Sequence, residues 1–381
     1  MLVIRNGLIH DAINREPYTT GILIENGKII ALTNEIPADA LVIDASGKNI
    51  CPGFVDAHTH VGVSGTGIGY EGSDYNELSD YLTPQLRAID SVNPFDPSFA
   101  KARTAGVTTV ATGPGSANSI GGIWTAFKTV GKSADQMVVR DPIAMKCAFG
   151  ENPKSVYRTK GISARMSNAA RIREMLFASK QYLEKKEAAG DDPTKMPAFD
   201  FKKEAMIPVL KKEIPLKAHA HQANDILTAI RIAKEFDLKL TLEHVTEGHL
   251  IADILAKENY PLAVGPTLSH ASKPELKNKS WQTAGILANK GCMVSIVTDH
   301  PFSMISYLPV YAGYCVKEGM DAFDALKAIT INPARHILCE DRIGSIEAGK
   351  DADLVIYEGD LFSSLSVIHD VLIDGRFISS Q

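Results

Sequence analysis

The chain has 381 residues, 45% hydrophobic and 22% charged, with a formal net charge of -5 at pH 7. Those values are ordinary for a soluble enzyme, and the length suffices for one large α/β domain with a smaller satellite. They exclude a basic face for nucleic acid, and no apolar run approaches the about 18 residues that span a bilayer.

Chain order begins with short strands and turns. Leu2-Val3-Ile4 runs into Asn6-Gly7, and Ile22-Leu23-Ile24-Glu25 runs into Asn26-Gly27, a hairpin signal. The first residues lack the long apolar core and cleavage site of a signal peptide. Ile29 to Leu32 and Ala40 to Ile43 continue the meander. From Cys51 to about 335 the texture changes to apolar strands alternating with helical stretches, which argues for βα units around a parallel sheet. Eight barrel strands are expected near 53–60, 107–112, 122–130, 143–149, 215–220, 239–244, 261–265 and 293–299, a count that fits a (β/α)8 barrel. Between them, Ile226, Ala229, Ile230 and Ala233 form one buried helical stripe within 222–236, and helices are expected near 248–258, 281–290 and 321–331. Residues 151–212 are too long for a simple loop. They carry a charged helix near 164–188 and a Gly190/Pro193 break, and read as a helical insertion serving as a lid, an oligomer contact or a solvated excursion.

After Asp341 the strand texture returns. Residues 1–50 and 341–381 are therefore expected to form one composite small β domain, a β-sandwich beside the barrel at 51–340. Five cysteines (Cys51, Cys147, Cys292, Cys315, Cys339) are odd in number and scattered, which suits reduced thiols and a cytoplasmic location.

The chemistry is concentrated at strand ends. Phe54-Val55-Asp56-Ala57-His58-Thr59-His60 closes with two histidines spaced i and i+2, which a strand turns to one face. His219 closes a run from Pro215, His244 closes Leu240-Thr241-Leu242-Glu243, and Asp299 follows Val297-Thr298. Four histidines and a carboxylate in step with the barrel count converge on the rim where such barrels carry their chemistry, and they read as a hydrolytic metal site.

These residues, together with Pro52-Gly53 and the closing Gly344-Ser345-Ile346-Glu347-Ala348-Gly349-Lys350-Asp351-Ala352-Asp353, resemble the amidohydrolase superfamily, in its imidazolonepropionase-like and prolidase-like branch. The resemblance implies a metal-dependent (β/α)8 hydrolase acting on amide or cyclic amide bonds. His58, His60, His219 and His244 would be ligands, and Asp299 both a ligand and the proton shuttle for a metal-activated water. The cofactor implied is a divalent metal, zinc first and manganese or iron as alternatives, at one or two ions per chain. The strand-four ligand is open: Lys146, as a carboxylated lysine bridging two ions, or Glu151, preferred because it stands nearer the rim. A lysine in an apolar strand is costly unless paired or modified, which keeps Lys146 in play.

Gln222 stands where deaminase and imidazolonepropionase members carry a titratable glutamate, and this argues against deamination. His221 shares a strand face with His219 and is a catalytic candidate. His270, Arg158 and Tyr157 are candidate substrate contacts, with Lys154 beside them able to hold a carboxylate. The expected partner is a small-molecule substrate, with no nucleic acid or membrane; homo-oligomerisation is compatible with the fold class. The alternatives are a prolidase-like dipeptidase with a binuclear site, a deaminase, and a catalytically silent barrel kept for binding or assembly.

Overall fold

The computed structural model describes residues 1–67 and 69–378; residue 68 of the barrel segment and residues 379–381 of the composite domain lie outside the described residues. The barrel is an eight-stranded sheet whose strands pair in chain order: Phe54–Thr59, Val107–Thr112, Ile120–Lys128, Val138–Ala148, Leu216–Ala220, Leu240–His244, Leu262–Val264 and Val294–Ile296. It closes through backbone bonds from Asp299 N to His58 O at 3.0 Å and from His60 N to His300 O at 2.8 Å. Strands one to three are buried at every position, as expected when helices cover the outside and side chains fill the inside.

The third strand departs from the expected all-parallel order. Ile120–Lys128 runs antiparallel to both neighbours, with its register shifted around Gly122. The reason is length. The connections at 113–119 and 129–137 cannot hold a crossover helix, and a parallel crossover needs roughly a dozen residues or more. The later strands are parallel and follow the βα rule. The helix Ala223–Glu235 buries Ile226, Ala229, Ile230 and Ala233, the stripe its sequence spacing predicts.

The long excursion after strand four is helical and packs on the chain itself. Its main helix, Arg165–Ala189, buries Ile172, Met175, Leu176 and Tyr182. Asn168 pins it to the barrel, donating to Ala148 O at 2.7 Å and accepting from Ser119 Oγ at 2.6 Å.

The two ends of the chain meet in a small β-sandwich. A four-stranded sheet comes from the N-terminal segment, and Asn49–Pro52 pairs antiparallel with Leu354–Glu358 in a six-stranded sheet drawing on both ends. Ile4, Ile22, Ile29, Ile50, Leu354 and Leu372 share its core. Lys128 of barrel strand three reaches into this domain, with its ammonium 2.6 Å from Asp353 and 3.0 Å from Asp351.

Candidate metal centre

Asp56, His58 and His60 face the barrel interior by strand alternation. Asp56, the deepest of the three, accepts from Thr298 N and Oγ1 and from His58 N, tying strand one to strand eight; burial pushes its carboxyl up to about 7. His58, His60 and Asp299 bring one ligand atom each within 4.8 Å of one another, and so do His219, His221 and His244. All six are buried. Glu243 and His244 are adjacent, yet both point inward. The alternation breaks there because His244 and Val245 take positive φ, 72° and 44°; Asp299 does the same at 51°.

The outer nitrogen of four of the five histidines is already engaged. His58 Nδ1 donates to Glu243 Oε2 at 2.6 Å, His60 Nδ1 to Gly113 O and His244 Nδ1 to Gly265 O, both at 2.8 Å. His221 Nδ1 meets Thr246 Oγ1 at 2.7 Å. A carbonyl or carboxylate can only accept, so the bonds of His58, His60 and His244 fix the proton on Nδ1 and leave each Nε2 lone pair inward, the orientation of metal-ligating histidines, while the Thr246 hydroxyl can either accept from or donate to His221. Both carbonyl holders must be glycine. A Cβ on Gly113 would stand 2.3 Å from the Trp124 ring, and one on Gly265 (φ +139°) would stand 2.1 Å from Val297 O. His219 is different: neither ring nitrogen has a hydrogen-bond partner. A buried imidazole without partners is costly unless a ligand supplies them. The donor set therefore fits divalent ions: inward neutral nitrogens, a carboxylate, and an orphaned imidazole.

Electrostatics agree with that fit. Burial, then the neighbouring Lys146 charge, keeps His58 neutral, and burial with the adjacent imidazoles does the same for His219 and His221. Burial lowers His244 to about 4. Burial alone would raise Asp299, but His60 and His244 outweigh it and hold the carboxyl ionised.

Of the two strand-four candidates, the structure brings Lys146 into the cluster and leaves Glu151 outside. Lys146 is fully buried on the inward face, 3.1 Å from His58 Nε2 and 5.0 Å from the Trp124 ring centroid, and burial lowers its amine to about 8. Glu151 follows Gly150 (φ 82°), which turns the chain out of the strand, so Glu151 opens the helix Glu151–Val156 instead of extending into the cluster. Tyr157 is buried, and its hydroxyl holds the 77–80 loop through Glu77 O and Asp80 O. Arg158 is exposed and, with Lys154, Arg165, Gln222 and Glu275, lines a cavity of about 490 Å³. His270 is exposed on the loop after strand seven. Gln222 accepts from Arg165 Nη2 at 2.6 Å.

Sequence reasoning missed several groups. Tyr75 stacks on His60 with ring centroids 5.1 Å apart. Beneath the ligands, Glu243 accepts from Lys217 at 2.7 Å, His336 at 2.8 Å and Thr241 at 2.8 Å. Lys217 carried a readable signal, since it lies two residues before His219 on the same face. His336 and Glu275, in a helix and a loop far along the chain, carried none.

The Amidohydrolase family model matches residues 49–378. Amidohydrolase tasK of Hapsidospora irregularis is 30% identical over 93% of this chain, which spans only 39% of that relative's length. Imidazolonepropionase of Thermoplasma acidophilum is 24% identical, covering 94% of this chain and 87% of its own. Among solved structures, an amidohydrolase from Thermotoga maritima MSB8 is 40% identical over the whole of both chains, with a TM-score of 0.96. A prolidase complexed with N-methylphosphonate-L-proline shares the fold at 16% identity over the whole of both chains, with a TM-score of 0.62.

Proposed function

The chain belongs to the amidohydrolase family of hydrolases, and from that premise we propose that it cleaves a C–N bond of a small substrate at a two-ion centre. The single observation that carries this reading is the pair of buried ligand groups, one with Lys146 against its His58 and the other containing the partnerless imidazole of His219. His58, His60 and Asp299 would hold one ion, His219 and His244 the other, with Lys146 bridging them after carboxylation of its amine. A lysine amine lowered to about 8 is partly neutral near physiological pH, and the neutral amine is the form that combines with CO2. When bound, such ions acidify water and polarise a carbonyl; zinc suits an imidazole and carboxylate set.

Asp299 is ionised beside His60, with 3.3 Å from its Oδ1 to His60 Nε2, and stands at the rim to take a proton from water and return it to the leaving nitrogen. Lys154 and Arg158 line the cavity that runs to Glu275, a cationic wall for a substrate carboxylate. That favours acylated amino acids and cyclic amides bearing a carboxylate. It equally favours dipeptides, the second reading, which a bridging Lys146 supports. Gln222, held by Arg165, supplies no titrating group for a deaminase. All five cysteines are buried and unpaired, which supports placing the enzyme in the cytoplasm. Among the described residues no helix is long and apolar enough to cross a membrane.

The test is elemental analysis of protein purified without added metal or chelator, followed by turnover on N-acyl amino acids, cyclic amides, dipeptides and adenine. The expected result is two ions per chain and hydrolysis of a carboxylate-bearing substrate. No metal and no turnover would return the chain to the silent-barrel reading.

A further inference from the structure

Glu275 lies outside the set that the family resemblance implies. It sits in the short turn Pro274–Leu276 after strand seven, yet its side chain is only 1% exposed. Its Oε2 is anchored by the backbone N–H of Glu151 at 2.9 Å. The space for that anchor exists because residue 150 is glycine: a Cβ there would stand 2.6 Å from Oε2. With Oε2 fixed, Oε1 faces two imidazoles, 3.9 Å from His219 Nε2 and 3.8 Å from His221 Nε2.

Those separations are too long for hydrogen bonds. Thr246 holds the outer nitrogen of His221, His219 has no partner at all, and Oε1 accepts no well-aligned hydrogen bond, although the Lys273 ammonium stands 2.6 Å away. Two buried imidazole nitrogens and a carboxylate oxygen thus converge with no direct hydrogen bond among them, an arrangement that a cation at their centre would satisfy. With zinc-to-ligand distances of about 2.0–2.1 Å, two ligands of a tetrahedral ion stand roughly 3.4 Å apart, so Oε1 needs to close on the His219 and His221 nitrogens by about half an ångström.

We propose that Glu275 and His221 join His219 and His244 as ligands of the second ion. The proposal rests on the two-ion reading above and adds to it a closed set of three imidazoles and a carboxylate. These four donors, with the bridging Lys146 carbamate as a fifth, leave that ion no open position for substrate, as in structural sites. The second ion is then the firmly held, organising one, and the substrate-facing chemistry belongs to the ion at His58, His60 and Asp299. His221 becomes a ligand and not a free acid or base.

The experiment is cobalt(II) titration of the metal-stripped full chain, following stoichiometry and the visible spectrum of each ion. Wild type should take up two ions. Glu275→Gln and His221→Gln should keep the first and weaken the second by more than the ~10–100-fold that loss of a merely supporting hydrogen bond costs. The second ion's spectrum should also change, because its donor set has. Lys273→Met separates the ligand role from a structural ion pair. As a ligand, Glu275 binds the ion at least as well once the competing ammonium is gone; as only Lys273's partner, it would lose the ion in both variants alike. Should Glu275→Gln fail to fold, Glu275→Asp keeps the charge but retracts it by one carbon, and the same weakening is expected. Unchanged second-ion affinity and spectrum in the Glu275 and His221 variants overturns this proposal alone. A wild type that binds no cobalt overturns the two-ion reading itself.

Discussion

At the barrel rim the histidines each turn a nitrogen towards the barrel interior, whereas one layer below the same kinds of side chain use one another up. Glu243 accepts from His58, Lys217, His336 and Thr241, and Lys217 also donates to Ala57 O at 3.0 Å and lies 4.7 Å from the Trp124 ring centroid. Burial would raise Glu243, but Lys217 and His336 outweigh it and hold it ionised. The floor is thus a nearly complete network, while the rim is a convergence of ligand atoms. Buried charge alone does not mark a site; converging lone pairs without donors do. The two layers meet at His58, whose Nδ1 belongs to the floor and whose Nε2 belongs to the rim.

The largest effect should come from the rim. Asp299→Asn keeps the shape but removes the proton acceptor, and kcat should fall by about 10²–10⁴-fold, the usual worth of a positioned acid–base group. Melting temperature measured alongside should change little. Retained turnover would falsify the shuttle role. Next comes the floor. Glu243→Gln strands the Lys217 charge in the interior, and removing one partner of a buried pair costs roughly 3–5 kcal/mol. Denaturant unfolding should show that loss even in metal-stripped protein. Metal affinity should fall too, because His58 loses its orienting carboxylate. A variant as stable as wild type would mean that the floor relaxes around a neutral Lys217.

How much of this division was legible follows from periodicity. His58 and His60 at i and i+2, and histidines closing strands five and six, announce inward side chains because a strand alternates strictly. The eight strands and the paired chain ends were readable for the same reason, from alternating texture and turn residues. The rule failed where the backbone leaves regular geometry. Strict alternation would put Glu243 and His244 on opposite faces, and the positive φ at His244 turns both inward. Strand three reads as a strand from composition, but its direction depends on loop length, not on which residues it contains. Glu275 and His336 reach the site through tertiary packing alone, which no local pattern encodes.

A smaller effect separates both layers from the small β-sandwich. Burial pushes Asp351 up, but the Lys128 charge and hydrogen bonds from Lys28 and Lys128 prevail and hold it below its ordinary 3.8. A carboxyl depressed in the folded state stabilises above its unfolded pKa, and that contribution is lost as pH falls through the folded value. Acid unfolding of the wild type should therefore steepen below about pH 3.8. Lys128→Met lacks that stabilisation already at neutral pH, so its acid-unfolding midpoint at fixed temperature should lie at higher pH. Coincident midpoints would mean that this domain's ion pairs contribute nothing to its acid limit.

The smallest expected effect bears on the strand-four position. Glu151 stands nearer the rim, and that position recommends it from sequence. Its contribution to the site runs through its backbone N–H to Glu275 Oε2, which a side-chain substitution leaves in place. Lys146 has no such redundancy: its amine is the group that lies against His58. Glu151→Gln should therefore keep both ions and wild-type turnover, while Lys146→Met should lose the bridge and with it one ion per chain by elemental analysis. If instead Glu151→Gln costs an ion, the helix at Glu151–Val156 must swing inward when metal binds, and the boundary between rim and exterior lies one turn further out than the strand ends place it.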